Sequence, residues 1–409
     1  MSTYWRHVTS VFTGSLIAQS IPIVGSLAIT RIFAPSEFGE FSTWLAIVSV
    51  VAVVVTMRLE TVLAIVEDGK ARVQAVSIVL VTTFAVVIAF SLVLYLLSYF
   101  TIVRGYLPEQ PLLPMLFVPA ALFVALNQVL QTWAAVEGAY GKLNIMRLVQ
   151  ALAIVVVQVS AGLICPESIS LVLGFLLASF ISFLTALILM PQLVCVAVLN
   201  RDTFLAFFCR YKRFPLYALP AGSISTAVAQ LPVLVVYHRF GGEAAGYLAL
   251  TIRVLGAPVG LVGKAILDVF KRYAAKDIRD IGNCRDVYLK TFKVLALSSV
   301  VMVVCTVFLA EDIFRIAFGV EWIASGETAI WLLPMFAMGL IASPLSYIVY
   351  LVERQHFDLL WQAALMVVVV GALYMCSTLK STLIGYAIGY AVMYIFYLGL
   401  SFRLSGGRW

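Results

Sequence analysis

Residues 73–100 read VQAVSIVLVTTFAVVIAFSLVLYLLSYF, an apolar run without one charged side chain. A helix takes about 20 apolar residues to cross a hydrocarbon core of roughly 30 Å, and this run exceeds that length. Apolar and polar residues do not alternate in it. The period of a transmembrane β-strand is therefore missing, and the run predicts a helix that satisfies its own backbone bonds. Runs of the same kind recur from Val8 to Leu400 with only short polar breaks. The 409-residue chain is 63% hydrophobic and 11% charged, where a soluble chain carries about a quarter charged residues. Such a composition leaves no polar surface for a water-soluble fold.

Hydropathy and loop signals together predict twelve helices, at 8–33, 38–66, 73–100, 111–136, 144–164, 168–198, 214–238, 244–270, 287–310, 328–352, 357–378 and 382–402. The expected fold class is an all-α polytopic membrane protein. The first span follows Arg6 and His7 as in a signal peptide but runs on to Phe33 without a small-residue cleavage site, so it reads as a retained helix. An even count puts both termini on one side. Of the 27 Lys and Arg residues, 19 fall in the loops and tails of that side, five on the other (Arg31, Arg104, Arg239, Arg315, Lys380), and Arg58, Arg253 and Lys264 inside spans. The positive-inside rule then predicts cytoplasmic termini and cytoplasmic loops at 199–213 and 271–286. The net charge of +7 follows from this topology and from anionic headgroups. No basic stripe with interleaved aromatics stands outside the membrane, which excludes a nucleic-acid partner. The six cysteines and three histidines are scattered, so neither a disulfide framework nor a metal-ligand spacing is present.

The two halves are alike. Ala18-Gln19-Ser20-Ile21-Pro22 precedes Arg31-Ile32-Phe33, Glu37 and Gly39-Glu40-Phe41; Ala229-Gln230-Leu231-Pro232 precedes Arg239-Phe240, Glu243 and Gly246-Tyr247-Leu248. Six predicted helices separate the copies, and an even number makes the repeats parallel. Two pseudo-symmetric six-helix bundles are expected, at 1–200 and 201–409, with substrate at the repeat interface and alternating access between them.

Three stretches carry a family resemblance. Gly14 through Pro22 with Thr30-Arg31-Ile32-Phe33-Ala34-Pro35-Ser36-Glu37-Phe38-Gly39 resembles the amino-terminal signature of O-antigen flippases and related polysaccharide exporters. Met57-Arg58-Leu59-Glu60 resembles the end of their second helix. Residues 258–270 and Ser343-Pro344-Leu345-Ser346-Tyr347 with Glu353-Arg354-Gln355 are similar to their second half, although Lys264 stands where a neutral amide is usual. The resemblance implies the multidrug/oligosaccharidyl-lipid/polysaccharide (MOP) exporter superfamily. With it come a bacterial inner-membrane location, a polyprenyl-pyrophosphate-linked oligosaccharide as cargo, and no enzymatic activity. Membrane lipid, a glycan polymerase and export machinery are the implied partners. No cofactor or metal is expected; a proton or sodium gradient and product removal are left open as driving forces.

Ionisable side chains inside a bilayer cost about 2.5–3.5 kcal/mol on insertion scales and usually face a cavity or a partner. Arg253 is the deepest, ten residues past Glu243 and hence about 15 Å down its helix. It is the first candidate for the cargo's phosphates, because arginine offers a planar bidentate fork; the alternative is a structural ion pair. Arg58 and Lys264 occupy matching positions in the two halves and are further substrate-binding candidates, although long basic side chains near a membrane surface also snorkel to headgroups. Glu60 and Asp268 follow them as salt-bridge partners or coupling carboxylates. Arg31, Arg239, Glu37 and Glu243 mark an outer gate or anchor. Pro22, Pro220 and Pro232 interrupt the first helices of the bundles as candidate hinges. Gly256, Gly260, Gly263 and Lys264 fail as a phosphate-binding loop, since Pro258 and Ala265 break the motif, and read as close helix contacts.

Two rival functions stand against transport of a lipid-linked glycan. A polyprenyl-dependent glycosyltransferase, polymerase or ligase needs a catalytic platform outside the bilayer, and the longest predicted outer loop is only 311–327. A drug or peptidoglycan-precursor exporter would share the same architecture.

Overall fold

The structure, a computed structural model, describes residues 18, 20–67, 69–97, 114–191 and 200–407. The quoted residues 14–17 and Gln19, part of the stretch 73–100, and the loop around Arg104 lie outside them. The apolar runs form helices because a helix closes all its backbone hydrogen bonds within one segment. In chain order these are α1 (Ser20–Ile32), α2 (Pro35–Thr56), α3 (Lys70–Leu97), α4 (Phe117–Val136), α5 (Tyr140–Gly162), α6 (Ser168–Leu189), α7 (Arg201–Tyr211) and α8 (Leu219–Phe240). They continue with α9 (Gly242–Ile281), α10 (Arg285–Phe318), α11 (Ile323–Leu345), α12 (Ile348–Leu351), α13 (Gln355–Met375) and α14 (Leu379–Ser405). No strand occurs among the described residues. Among the described residues eleven stretches are long and apolar enough to cross a membrane, and α1 is a shorter apolar helix. The chain is a multi-pass, all-α membrane protein.

Contacts group the chain into two units, Met1–His238 and Arg239–Trp409. In the first, α2, α3 and α6 pack around α4, and α5 lies along α6. Trp44 of α2 stacks on Phe117 at 5.9 Å and meets Phe175 edge-on at 6.0 Å, which locks α2, α4 and α6 together. Polar residues tie the same helices: Asn127 donates to the Ser179 carbonyl at 2.8 Å and accepts from the Ser182 hydroxyl at 2.7 Å. In the second unit α11 is the central helix, touched by α9, α10 and α14, and α13 packs on α14. Thr251 donates to the Ser325 carbonyl at 2.8 Å and Ser299 to that of Ala337 at 3.0 Å, so α9 and α10 are pinned to α11.

Element ends depart from the hydropathy reading in four places. The span expected at 38–66 stops at Thr56, because Met57 and Arg58 take left-handed φ values of 50° and 58°. Such a conformation costs an L-residue about 1–2 kcal/mol. Two threonines hold it: the Arg58 amide donates to Thr56 Oγ1 at 3.3 Å, and the Thr61 hydroxyl donates to the Arg58 carbonyl at 2.6 Å. A 3-10 turn, Leu59–Ala64, follows. The loop expected at 199–213 contains α7, and α9 runs on to Ile281 through the loop expected at 271–286. Both segments are too polar for a hydropathy window, yet their Arg, Lys and Ala residues favour helix. The outer loop expected at 311–327 is mostly helix as well, divided between α10 and α11.

Arg72, one of the basic residues that set the expected topology, is buried at 7% exposure. Its Nη1 pairs with Glu137 Oε1 at 2.9 Å and its Nη2 donates to the Val66 carbonyl at 3.0 Å, which braces the turn before α3 against the end of α4. Hydrogen bonds to charged groups contribute about 1.5–3 kcal/mol. Arg72→Met should therefore lower the melting temperature in detergent and the amount of membrane-inserted protein, whereas Lys70→Met, at an exposed position two residues away, should change neither.

Candidate substrate-binding site

The strained turn after α2 aims Arg58 at two neighbours within the first unit. Its Nη1 lies 3.6 Å from Glu60 Oε1, an ion-pair separation. On the other side the guanidinium presses on the backbone of α8 at Gly222. A Cβ at 222 would come within 2.8 Å of Nη2 and 2.9 Å of Cζ, and closer still to Nε. Only glycine leaves room for this approach. The Arg58 side chain keeps 30% of its exposure, so part of its fork remains open. Glu60 is 1% exposed; Oε1 accepts from Gln128 of α4 at 3.0 Å, and Oε2 has no hydrogen-bond partner among the described residues. Glu60 lies in the turn beyond the spanning helices. Burial pushes its carboxyl above the usual range, and hydrogen bonds and the Arg58 charge oppose that rise.

In the second unit Arg253 sits half-buried on α9, two residues past the Thr251 contact with α11. Lys264 and Asp268 follow on the same helix, both exposed, and no ion pair joins them among the described residues. The structure thus brings Arg58 to Glu60 but does not bring Lys264 to Asp268. Gln128 and Gly222, neither of them a sequence-based candidate, complete the first cluster. An amide within an apolar run is a signal that points to Gln128, since such groups usually face the bundle interior.

The other candidates occupy helix ends. Arg239 donates to the carbonyls of Leu373 and, at 2.6 Å, Cys376, where the last turn of α13 leaves acceptors unsatisfied. Its guanidinium also lies 4.9 Å from the Phe240 ring centroid. Glu243 accepts from the Tyr247 hydroxyl at 2.5 Å. Arg31 is exposed at the end of α1. Glu37 accepts from the Ser168 amide and Glu40 from the Ser168 hydroxyl, each at 2.6 Å, so two carboxylates meet the positive amino-terminal end of α6. Pro22 lies within α1, Pro220 is the second residue of α8, and Pro232 is inside α8. Prolines also stand inside α9 (Pro258) and α11 (Pro334, Pro344), so interruption is not confined to the first helix of each half.

A family model described as a polysaccharide biosynthesis protein matches residues 28–327. The chain belongs to that family. Every candidate above except Pro22 lies inside the matched segment. No match is found among curated proteins. Solved structures give the fold of this polysaccharide biosynthesis family chain. A Lipid II flippase, MurJ, in an inward closed conformation superposes with a TM-score of 0.76 at 13% identity, covering 96% of this chain and 87% of that one. An inward-facing multidrug resistance MATE family transporter of the MOP superfamily gives 0.68 at 10% identity, covering 95% and 94%. A MOP superfamily transporter from Pyrococcus furiosus gives 0.60 at 12% identity, covering 98% and 95%. The family chain therefore has the MOP transporter fold, as its sequence resemblance implies.

Proposed function

We infer that this protein is a flippase that carries a polyprenyl-pyrophosphate-linked oligosaccharide, an O-antigen, capsule or exopolysaccharide repeat unit, from the cytoplasmic to the periplasmic leaflet of a bacterial inner membrane. The observation that carries this reading is the polysaccharide biosynthesis family match on a MOP transporter fold. Arg253 and the open side of Arg58 supply cationic forks for the pyrophosphate, with Lys264 as a third cation. The two repeats, 1–200 and 201–409, alternate access around the bound headgroup, with both termini cytoplasmic and the in-helix prolines Pro22, Pro220 and Pro232 as bending points. Arg31, Arg239, Glu37 and Glu243 hold the outer helix ends.

Glu60 is the coupling candidate, because a buried carboxyl with one unpartnered oxygen and a raised pKa takes up and releases protons within reach of Arg58. Translocation needs no bond-making step.

The likeness to a Lipid II flippase favours a second cargo, a peptidoglycan precursor. Depletion in the native host separates the two. Loss of surface glycan, with its lipid-linked precursor accumulating in cells and peptidoglycan synthesis continuing, is the expected result. Arrest of peptidoglycan synthesis would transfer the assignment to the second cargo.

A further inference from the structure

We propose that a tyrosine-lined cavity inside the second unit is a subsite for one uncharged sugar ring of the cargo, the sugar next to the pyrophosphate. The inference rests on the flippase reading above and names what that reading leaves open, the chemistry that recognises the glycan.

The cavity holds about 200 Å³ and is bounded by Val259 of α9, Gly339 and Ser343 of α11, and Tyr386, Tyr390 and Tyr394 of α14. The tyrosines recur every four residues and so share one face of α14. Their rings touch in series, with centroids 5.4 Å apart from Tyr386 to Tyr390 and again from Tyr390 to Tyr394. Gly339 lets this row lie against α11, since a Cβ there would stand 3.3 Å from Tyr394 Cε2. None of the three phenol hydroxyls has a protein hydrogen-bond partner among the described residues, although Tyr386 is only 4% exposed. Tyr386 is buried and Tyr390 and Tyr394 are half-buried, so hydroxyls without a protein partner are left to pair with whatever fills the cavity.

The lining dictates the class of ligand. No Asp, Glu, Lys, Arg or His borders the cavity, so it supplies no counter-charge for an acidic or amino sugar. Aromatic faces take the C–H face of a pyranose, and phenols both donate to and accept from sugar hydroxyls. The volume is below the roughly 300–1,000 Å³ of sites for drug-sized ligands, which suits a single ring. Arg253 and Val259 lie on the same helix, six residues and hence about 9 Å apart along its axis. The two positions face about 120° apart around the helix, so a phosphate held at Arg253 sets the depth of the directly attached sugar at the level of the tyrosine row.

The test uses the full-length protein in detergent and two probes, polyprenyl pyrophosphate and the same lipid bearing one neutral hexose, with binding followed by intrinsic tryptophan fluorescence. The variant Tyr386→Phe/Tyr390→Phe/Tyr394→Phe keeps the rings and removes hydroxyls that support no protein contact, so it should fold as wild type does. The expected result is about tenfold weaker binding of the hexosyl lipid, equivalent to about 1.4 kcal/mol, with binding of the sugar-free lipid unchanged. Equal losses for both lipids, or no loss for the hexosyl lipid, would overturn the subsite while leaving the flippase reading intact. Wild-type protein that binds neither lipid would overturn the flippase reading, and the subsite with it.

Discussion

Replacing Arg253 by alanine should abolish surface glycan while the amount of membrane-inserted protein stays at the wild-type level. Arg253 lies ten residues into its helix from Glu243, about 15 Å deep, where membrane anchoring does not explain a cation. Truncating one partner of a buried, hydrogen-bonded charge pair costs about 2–5 kcal/mol, which lowers affinity by about thirtyfold or more. Arg253→Lys keeps the charge but loses the bidentate fork, so its export should fall between wild type and alanine. A purely structural ion pair gives a different pattern. Removing its cation strands a buried partner at about 3–5 kcal/mol and depletes folded protein from the membrane. Immunoblots of the membrane fraction beside surface-glycan measurements separate the two, and normal export by a well-inserted Arg253→Ala protein would remove Arg253 from the pathway.

The second large effect is expected at Gly222, a position without chemistry of its own. An alanine Cβ there would sit 2.8 Å from Arg58 Nη2 and 2.9 Å from Cζ. What must move is the far end of a flexible side chain, not backbone, so the fold survives and the guanidinium is displaced. Gly222→Ala should therefore insert normally yet reduce export to the level of Arg58→Ala. The double variant should be no worse than either single one, because both remove the same placement of the same group. Additive losses in an export assay would mean that Gly222 acts independently of Arg58.

Much of the fold was legible in the sequence, since span length and the absence of charge are one-dimensional properties. Among the described residues eleven spanning helices and the shorter α1 lie where the apolar runs do. The end of α2 was not legible: no glycine or proline marks it, and the left-handed Met57 and Arg58 depend on hydroxyl bonds from Thr56 and Thr61. The polar helix α7 and the carboxyl-terminal turns of α9 escaped because hydropathy detects membrane residence and not helix. Within the site, Arg58 and Glu60 are two residues apart, a spacing that a continuous helix would turn to different faces, and their pairing depends on the left-handed turn at Met57 and Arg58. Spacing also suggests Lys264 with Asp268, one helical turn apart, where both side chains point into exposed surroundings without meeting. Gly222 is distant from Arg58 in sequence and only packing reveals it, whereas Gln128 stands out as an amide in an apolar run but its partner Glu60 does not follow from the sequence. The tyrosine row has a visible four-residue period, but the face it presents depends on the rotation of α14.

Transport is tested most directly in proteoliposomes containing only the purified protein and a fluorescent polyprenyl-pyrophosphate-linked glycan, with a membrane-impermeant reagent reporting the outer leaflet. Wild-type protein should bring the inner-leaflet pool to the reagent far faster than protein-free vesicles do, and Arg253→Ala should return the rate to the protein-free baseline. Wild-type vesicles that expose the glycan no faster than empty ones, across proton and sodium gradients of either sign, would contradict flipping as the function of this chain.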